Sequence, residues 1–245
     1  MSEIKTENPL GYEKLPRLLK NYAIPSIIAM LVSSLYNIVD QIFIGQGVGY
    51  LGNAATNVAY PLTTICLAIA LLIGVGSAAR FSLALGAKEK EQAELAVGNA
   101  ISMMLLFGIT YFILIEIFLN PLLILFGSTP DIMPYAESYT RITAIGMPLL
   151  IVTNGMSNLA RADGSPKFSM TCMLVGAIIN TILDPIFIFV FHMGVAGAAY
   201  ATIISQSISA ILCAIYIVKR FPILKLNKHH LKVRKRYIKK LRGIA

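Results

Sequence analysis

The chain has 245 residues, 56% of them hydrophobic and 13% charged, with a mean hydropathy of +0.71. A soluble domain carries about twice that charge fraction, so the composition excludes an ordinary soluble globular protein and selects the membrane class. The formal net charge of +9 is concentrated: eleven of the 21 Lys and Arg residues follow position 218. That pattern fits a cytoplasmic loop lying on anionic headgroups rather than a nucleic-acid partner.

Residues 1–18 read as a cytoplasmic amphipathic N-terminus. They lack the short apolar core and small-residue cleavage site of a secretory signal, so the apolar segment that follows is expected to be a retained span. Six spans are predicted in chain order, at about 19–44, 54–77, 95–119, 134–157, 168–191 and 195–218. The expected fold is an all-α six-helix membrane bundle. Helix-stopping residues separate the spans: Gly45 to Gly49, Gly86, Asn120-Pro121, Asp163 to Pro166, and Gly194. Residues 219–245 read as a basic cytoplasmic linker.

Loop charge sets the expected orientation. Lys5, Lys14, Arg17 and Lys20 precede span one, Arg80, Lys88 and Lys90 follow span two, and Arg161 and Lys167 follow span four. The three remaining connections carry no Lys or Arg, so both termini are expected in the cytoplasm. Pro25, Pro61, Pro148 and Pro185 fall inside spans, where each removes a backbone donor and favours a bend. Small residues in span six, such as Gly197, Ala198 and Ala201, read as close helix packing. Cys66, Cys172 and Cys213 lie inside apolar segments without a Cys-x-x-Cys spacing and read as packing residues.

The informative residues are acids in apolar surroundings. A carboxylate at membrane depth is costly and marks an ion, a proton or a cationic ligand. Asp184 lies seven residues from the outer end of span five, about 11 Å down at 1.5 Å per residue. Thr202 lies at a similar depth on span six. Asn180 and Gln206 stand one turn below Asp184 and Thr202, so two consecutive antiparallel helices present matched polar levels. Pro185 weakens the ladder beside Asp184. Span one adds Asp40, with Tyr36 and Asn37 near its face. These hard oxygen donors suit a proton or Na⁺ and, with no His or Cys beside them, do not suit zinc. Glu116 reads as interfacial and His192 as an outer-loop residue. Asn154 and Asn158 fall near the cytoplasmic side by depth, outside this cluster. No nucleophile–base pair, phosphate loop or His-Glu metal motif is present in the sequence, so no enzyme is expected.

Four segments carry a resemblance. They are Asp40-Gln-Ile-Phe-Ile-Gly45, Arg161-Ala-Asp-Gly164-Ser-Pro-Lys167-Phe168, Asn180-Thr-Ile-Leu-Asp184-Pro185, and Gly197-Ala-Ala-Tyr-Ala-Thr202 through Gln206. Together they resemble the multidrug and toxic compound extrusion (MATE) family, in its DinF/MepA-like bacterial branch, over residues 10–220. The resemblance implies the N-terminal lobe of an antiporter in a bacterial cytoplasmic membrane. It would export amphipathic organic cations against entry of H⁺ or Na⁺, with no organic cofactor. The implied ion-coupling set is Asp40, Asn180, Asp184 and Thr202, in a wider network with Tyr36, Asn37 and Gln206. The family's network extends to an asparagine of the fourth helix. Asn154 is the nearest candidate, although its depth argues against it unless Pro148 bends span four strongly.

The family is built of two six-helix lobes, and this chain carries one. Tyr237 to Ala245 resembles the lead-in before span one, Leu15 to Pro25, as if a second repeat were beginning. The expected partner is therefore a missing C-terminal lobe or a second copy of the chain. Two alternatives stand beside the antiporter. One is a lipid-linked oligosaccharide flippase of the same superfamily, for which cavity Arg or Lys is expected and only Arg141 lies within the spans. The other is a truncated lobe that inserts and transports nothing.

Overall fold

The computed structural model describes residues 13–220. The expected tail features after Arg220, His229 and His230 among them, and most of the amphipathic lead-in lie outside the described residues. Six helices run in chain order: α1 Leu15–Val48, α2 Tyr50–Gly86, α3 Lys90–Leu125, α4 Met133–Ala162, α5 Pro166–Pro185 and α6 Gly194–Arg220. All six are long and apolar enough to cross a membrane. Loops are short because neighbouring helices are antiparallel.

Except for α5, whose regular turns end at Pro185, the helices are longer than the expected spans. α1 begins at Leu15 rather than at 19 and absorbs Gly45 and Gly47, breaking only at Gly49, whose φ of +86° a side chain would resist. The expected stop at Asn120-Pro121 is incorrect. α3 runs through Pro121 to Leu125 and accommodates the missing donor with a kink at Phe118 (φ −106°, ψ 21°). The stops at Gly86, at Asp163 to Pro166 and before Gly194 are observed. After Pro185, α5 passes into a π-helical turn, Ile186–Val190, in keeping with a ladder weakened there.

α4 is the central helix and packs against α2, α3, α5 and α6. Its approach to α2 is close enough that a Cβ on Gly74 would lie 2.8 Å from the Gly155 Cα. Small residues let backbones meet in this way where lipid supplies no hydrophobic drive. The main apolar core fills the space among α2, α3 and α4, with Leu62, Ile73, Met104, Leu123 and Ile151 inside it. Cys66 and Cys172 are fully buried and Cys213 nearly so, as expected for packing residues. α1 packs chiefly along α5 and turns exposed Ile27, Leu31, Leu35 and Ile38 outward, a face suited to lipid.

Candidate functional site

Between α1 and α4 lies a cavity of about 270 Å³, walled by α1, α2, α4, α5 and α6. Pro185 ends the regular turn of α5 immediately after Asp184, and α6 returns beside it. Asp184 and Asn180 therefore face Thr202 across the helix pair. The Asn180 Nδ2 group donates to Asp184 Oδ1 at 3.3 Å and to Thr202 Oγ1 at 3.4 Å. Helix rise and i,i+4 spacing predicted the Asn180–Asp184 pair and brought Thr202 to the depth of Asp184; the bond across to Thr202 comes instead from Asn180, which the rise had set level with Gln206.

Asp40 joins them from α1. Its carboxyl lies within hydrogen-bonding reach of Asp184 and of its neighbour Gln41. Gln41 Oε1 is 3.1 Å from Thr56 Oγ1, which ties this part of α1 to α2. Asp184 is 0%, Asn180 3% and Asp40 8% exposed. Each retains a buried oxygen without a hydrogen-bond partner: Asp40 Oδ1, Asp184 Oδ2 and Asn180 Oδ1. Three orphaned oxygens, two of them from acids, are expensive to leave bare. They form a donor set that a proton shared between carboxyls, or a small hard cation, would satisfy.

Tyr36 and Asn37 line the same cavity, with their side chains in hydrogen-bonding reach of each other, and Asn37 Nδ2 also donates to Ser33 O at 2.7 Å. Gln206 lines it too. So does Asn154, which the depth estimate had set apart. The cavity extends along α4 well below the acid level, and depth in the bundle is therefore no guide to membership. Asn154 Nδ2 itself donates to Leu150 O at 3.0 Å, on its own helix. Sequence reasoning missed Tyr139, Thr153 and Ser157 of α4, which also line the cavity. The signal available was the hydroxyl pair at i,i+4 on a span already rich in amides.

Among the described residues no Lys or Arg lines the cavity. Arg141 instead pairs outside it, with Glu137 Oε1 at 2.8 Å and Glu116 Oε2 at 3.3 Å. Glu116 is thus one half of an exposed ion pair rather than a solitary interfacial acid, and His192 is exposed in the loop before α6. Among the described residues no cluster of three or more His, Cys, Asp or Glu residues could hold a metal ion.

Six membrane-crossing helices around an acid-bearing polar cavity define a multi-pass membrane protein. The sequence profile of the MatE family matches residues 25–186, and the chain belongs to that family. It is 30% identical over 220 residues to "Multidrug export protein MepA" of Staphylococcus haemolyticus, covering 88% of this chain and 48% of that protein. A solved structure described as "Crystal structure of MATE in the bent conformation" matches with a TM-score of 0.84 and 27% identity, over 92% of this chain and 50% of that one. A Pyrococcus furiosus structure matches with a TM-score of 0.86 and 26% identity, over 98% of this chain and 53% of that one. It is described as "Reverse polarity of binding pocket suggests different function of a MOP superfamily transporter". The chain spans about half the length of the proteins it matches. The helices and the bacterial exporter relatives place it in a bacterial plasma membrane.

Proposed function

We infer that this chain forms the ion-coupling lobe of a multidrug efflux antiporter, with Asp40, Asn180, Asp184 and Thr202 as the coupling site. The observation that carries this reading is the pair of facing, buried carboxyls with orphaned oxygens, with no basic residue in the cavity lining among the described residues. Desolvation makes two bare carboxylates at this distance untenable together, so loading with H⁺ or Na⁺ stabilises the pair and unloading separates it. Loading therefore biases how α1 sits against α5, and a helix rearrangement driven by ion occupancy couples export to the gradient. The exported compounds are amphipathic organic cations, in keeping with the relatives' description as multidrug exporters. Both termini face the cytoplasm, where the basic loops gather. A second six-helix lobe, from further chain or from a second copy, completes the transport cleft.

The acidic lining argues against the flippase alternative, which needs cavity cations for a pyrophosphate headgroup, since Arg141 is engaged outside the cavity. The test is Asp184→Asn in the complete transporter, reconstituted with an imposed ion gradient and a fluorescent organic cation. Gradient-driven efflux is expected to vanish at unchanged expression. Unchanged efflux would overturn the assignment.

A further inference from the structure

Hydroxyls on membrane helices ordinarily bond a carbonyl one turn back on their own helix, which conceals them from the apolar surroundings. Thr64, Thr143, Thr181 and Ser207 do this. Thr153 and Ser157 do not. They sit one turn apart on α4, are 8% and 2% exposed and line the cavity; the Thr153 hydroxyl has no hydrogen-bond partner, and the Ser157 hydroxyl meets only the Cys213 thiol. A polar cavity with room for several water molecules and with buried groups in want of partners is one that holds ordered water.

The other lining groups extend the polar surface in both directions. Toward the acids lie Gln206, then Thr202 and Asn180, while Asn154 stands level with Thr153 and Ser157 on α4. α6 presents Thr202, Gln206 and Ser209 on one face, at i, i+4 and i+7 spacing. One turn beyond Ser209 the polar surface is interrupted. Cys213 is buried there against Cys172, next to Ser157, and the Ser209 hydroxyl donates to Cys172 O at 3.1 Å. Past this layer Tyr216 donates to Asp163 Oδ2 at 2.9 Å and stacks on Phe168 at 4.2 Å. Tyr216 and Phe168 line a second cavity of about 400 Å³, at the end of the bundle where the described chain begins and ends. From Ser209 to Tyr216 is only about 10 Å of helix rise.

We propose that the cavity is a water-filled passage from the Asp40–Asp184 pair toward the end of the bundle that carries both described termini, closed in this conformation by the single layer of Cys172 and Cys213. Thr153 and Ser157 are the water-holding groups on its α4 wall. Opening the layer would join the two cavities and give the coupling ion a route through one lobe. That coupling role rests on the function proposed above, whereas the presence of water does not.

Water access is read without any transport. In a chain with Cys66, Cys172 and Cys213 replaced by Ala, single cysteines are introduced as Thr153→Cys and Ser157→Cys. Thr140→Cys is the control, because Thr140 is also buried, also lacks a hydroxyl partner and does not line the cavity. A small water-soluble methanethiosulfonate should modify the first two on the order of tenfold faster than the third, since the reactive thiolate requires a polar, wetted site. Equal rates at all three positions overturn the passage. Restoring bulk with Met at position 213 should slow Ser157→Cys labelling from the terminal side. A rate indifferent to residue 213 overturns the location of the closure. Should the cysteine variants fail to reconstitute, hydroxyl-radical oxidation of the unsubstituted chain asks the same question. Met173 lines the cavity and stands outside the core, whereas Met103 and Met104 sit in the core. Faster oxidation of Met173 supports the passage, and equal oxidation rejects it. Efflux that survives Asp184→Asn would remove the coupling role and leave the labelling result standing.

Discussion

α1 and α4 border the same cavity from opposite sides and are built on opposite plans. α4 is surrounded by other helices, meets α2 at a glycine–glycine contact and buries twelve of its thirty residues. α1 lies mainly on α5 and buries only Pro25, Ala29, Asp40 and Ile44. One helix supplies a fixed wall of hydroxyls and amides, and the other supplies the acid Asp40 and its polar neighbours on a loosely embraced rod. Apolarity alone therefore does not show how tightly a membrane helix is held. The small residues that permit close approach carry that information.

The contrast can be broken at its strongest point first. Gly74→Leu would drive a side chain into the Gly155 backbone, so the α2–α4 contact should part, at a cost of about 1–3 kcal/mol or more. A fall in the thermal midpoint in detergent would report it, and an unshifted midpoint would mean that α4 is not clamped as described. Tyr111→Phe tests the same wall more gently. The Tyr111 hydroxyl donates to Leu62 O at 2.7 Å between α3 and α2, and its loss should cost about 0.6 kcal/mol. Ile27→Ala on the outward face of α1 should change stability by less than about 0.5 kcal/mol, because the residue is 56% exposed. A large loss there would mean that α1 is seated against something beyond this lobe. Arg141→Gln should be the mildest, leaving the melting curve unmoved, since both of its ion pairs are solvent-facing.

Much of this was legible in the residues. The six helices followed from runs of apolar sequence, and the Asn180–Asp184 pair and the depth of Thr202 followed from a rise of about 1.5 Å and a repeat of 3.6 residues. Asp40 was harder, because its place depends on how α1 leans on α5, a tertiary fact that no local spacing encodes. Asn154 was misjudged for a related reason. A depth estimate ranks residues along the membrane normal, and the cavity runs along that direction rather than across it. Asn120-Pro121 read as a stop because proline ends helices in water, where a broken ladder can be solvated. Inside a bundle the helix bends at Phe118 and continues. Thr153 and Ser157 stood in plain view as hydroxyls, but whether a hydroxyl bonds its own helix or faces a cavity is decided only by rotamer and neighbours.

The π-helical turn after Pro185 winds more widely than an α-helical turn, and Ile188 sits in the middle of it. There it joins the small apolar cluster with Ile44, Val195 and Ala198, against the end of α1. Deleting Phe187 would therefore do more than trim a connection. It would turn Ile188 away from α1 and unfasten the far end of the helix that carries Asp40. The geometry of the acid pair is thus set partly by a count of residues that bear no charge at all.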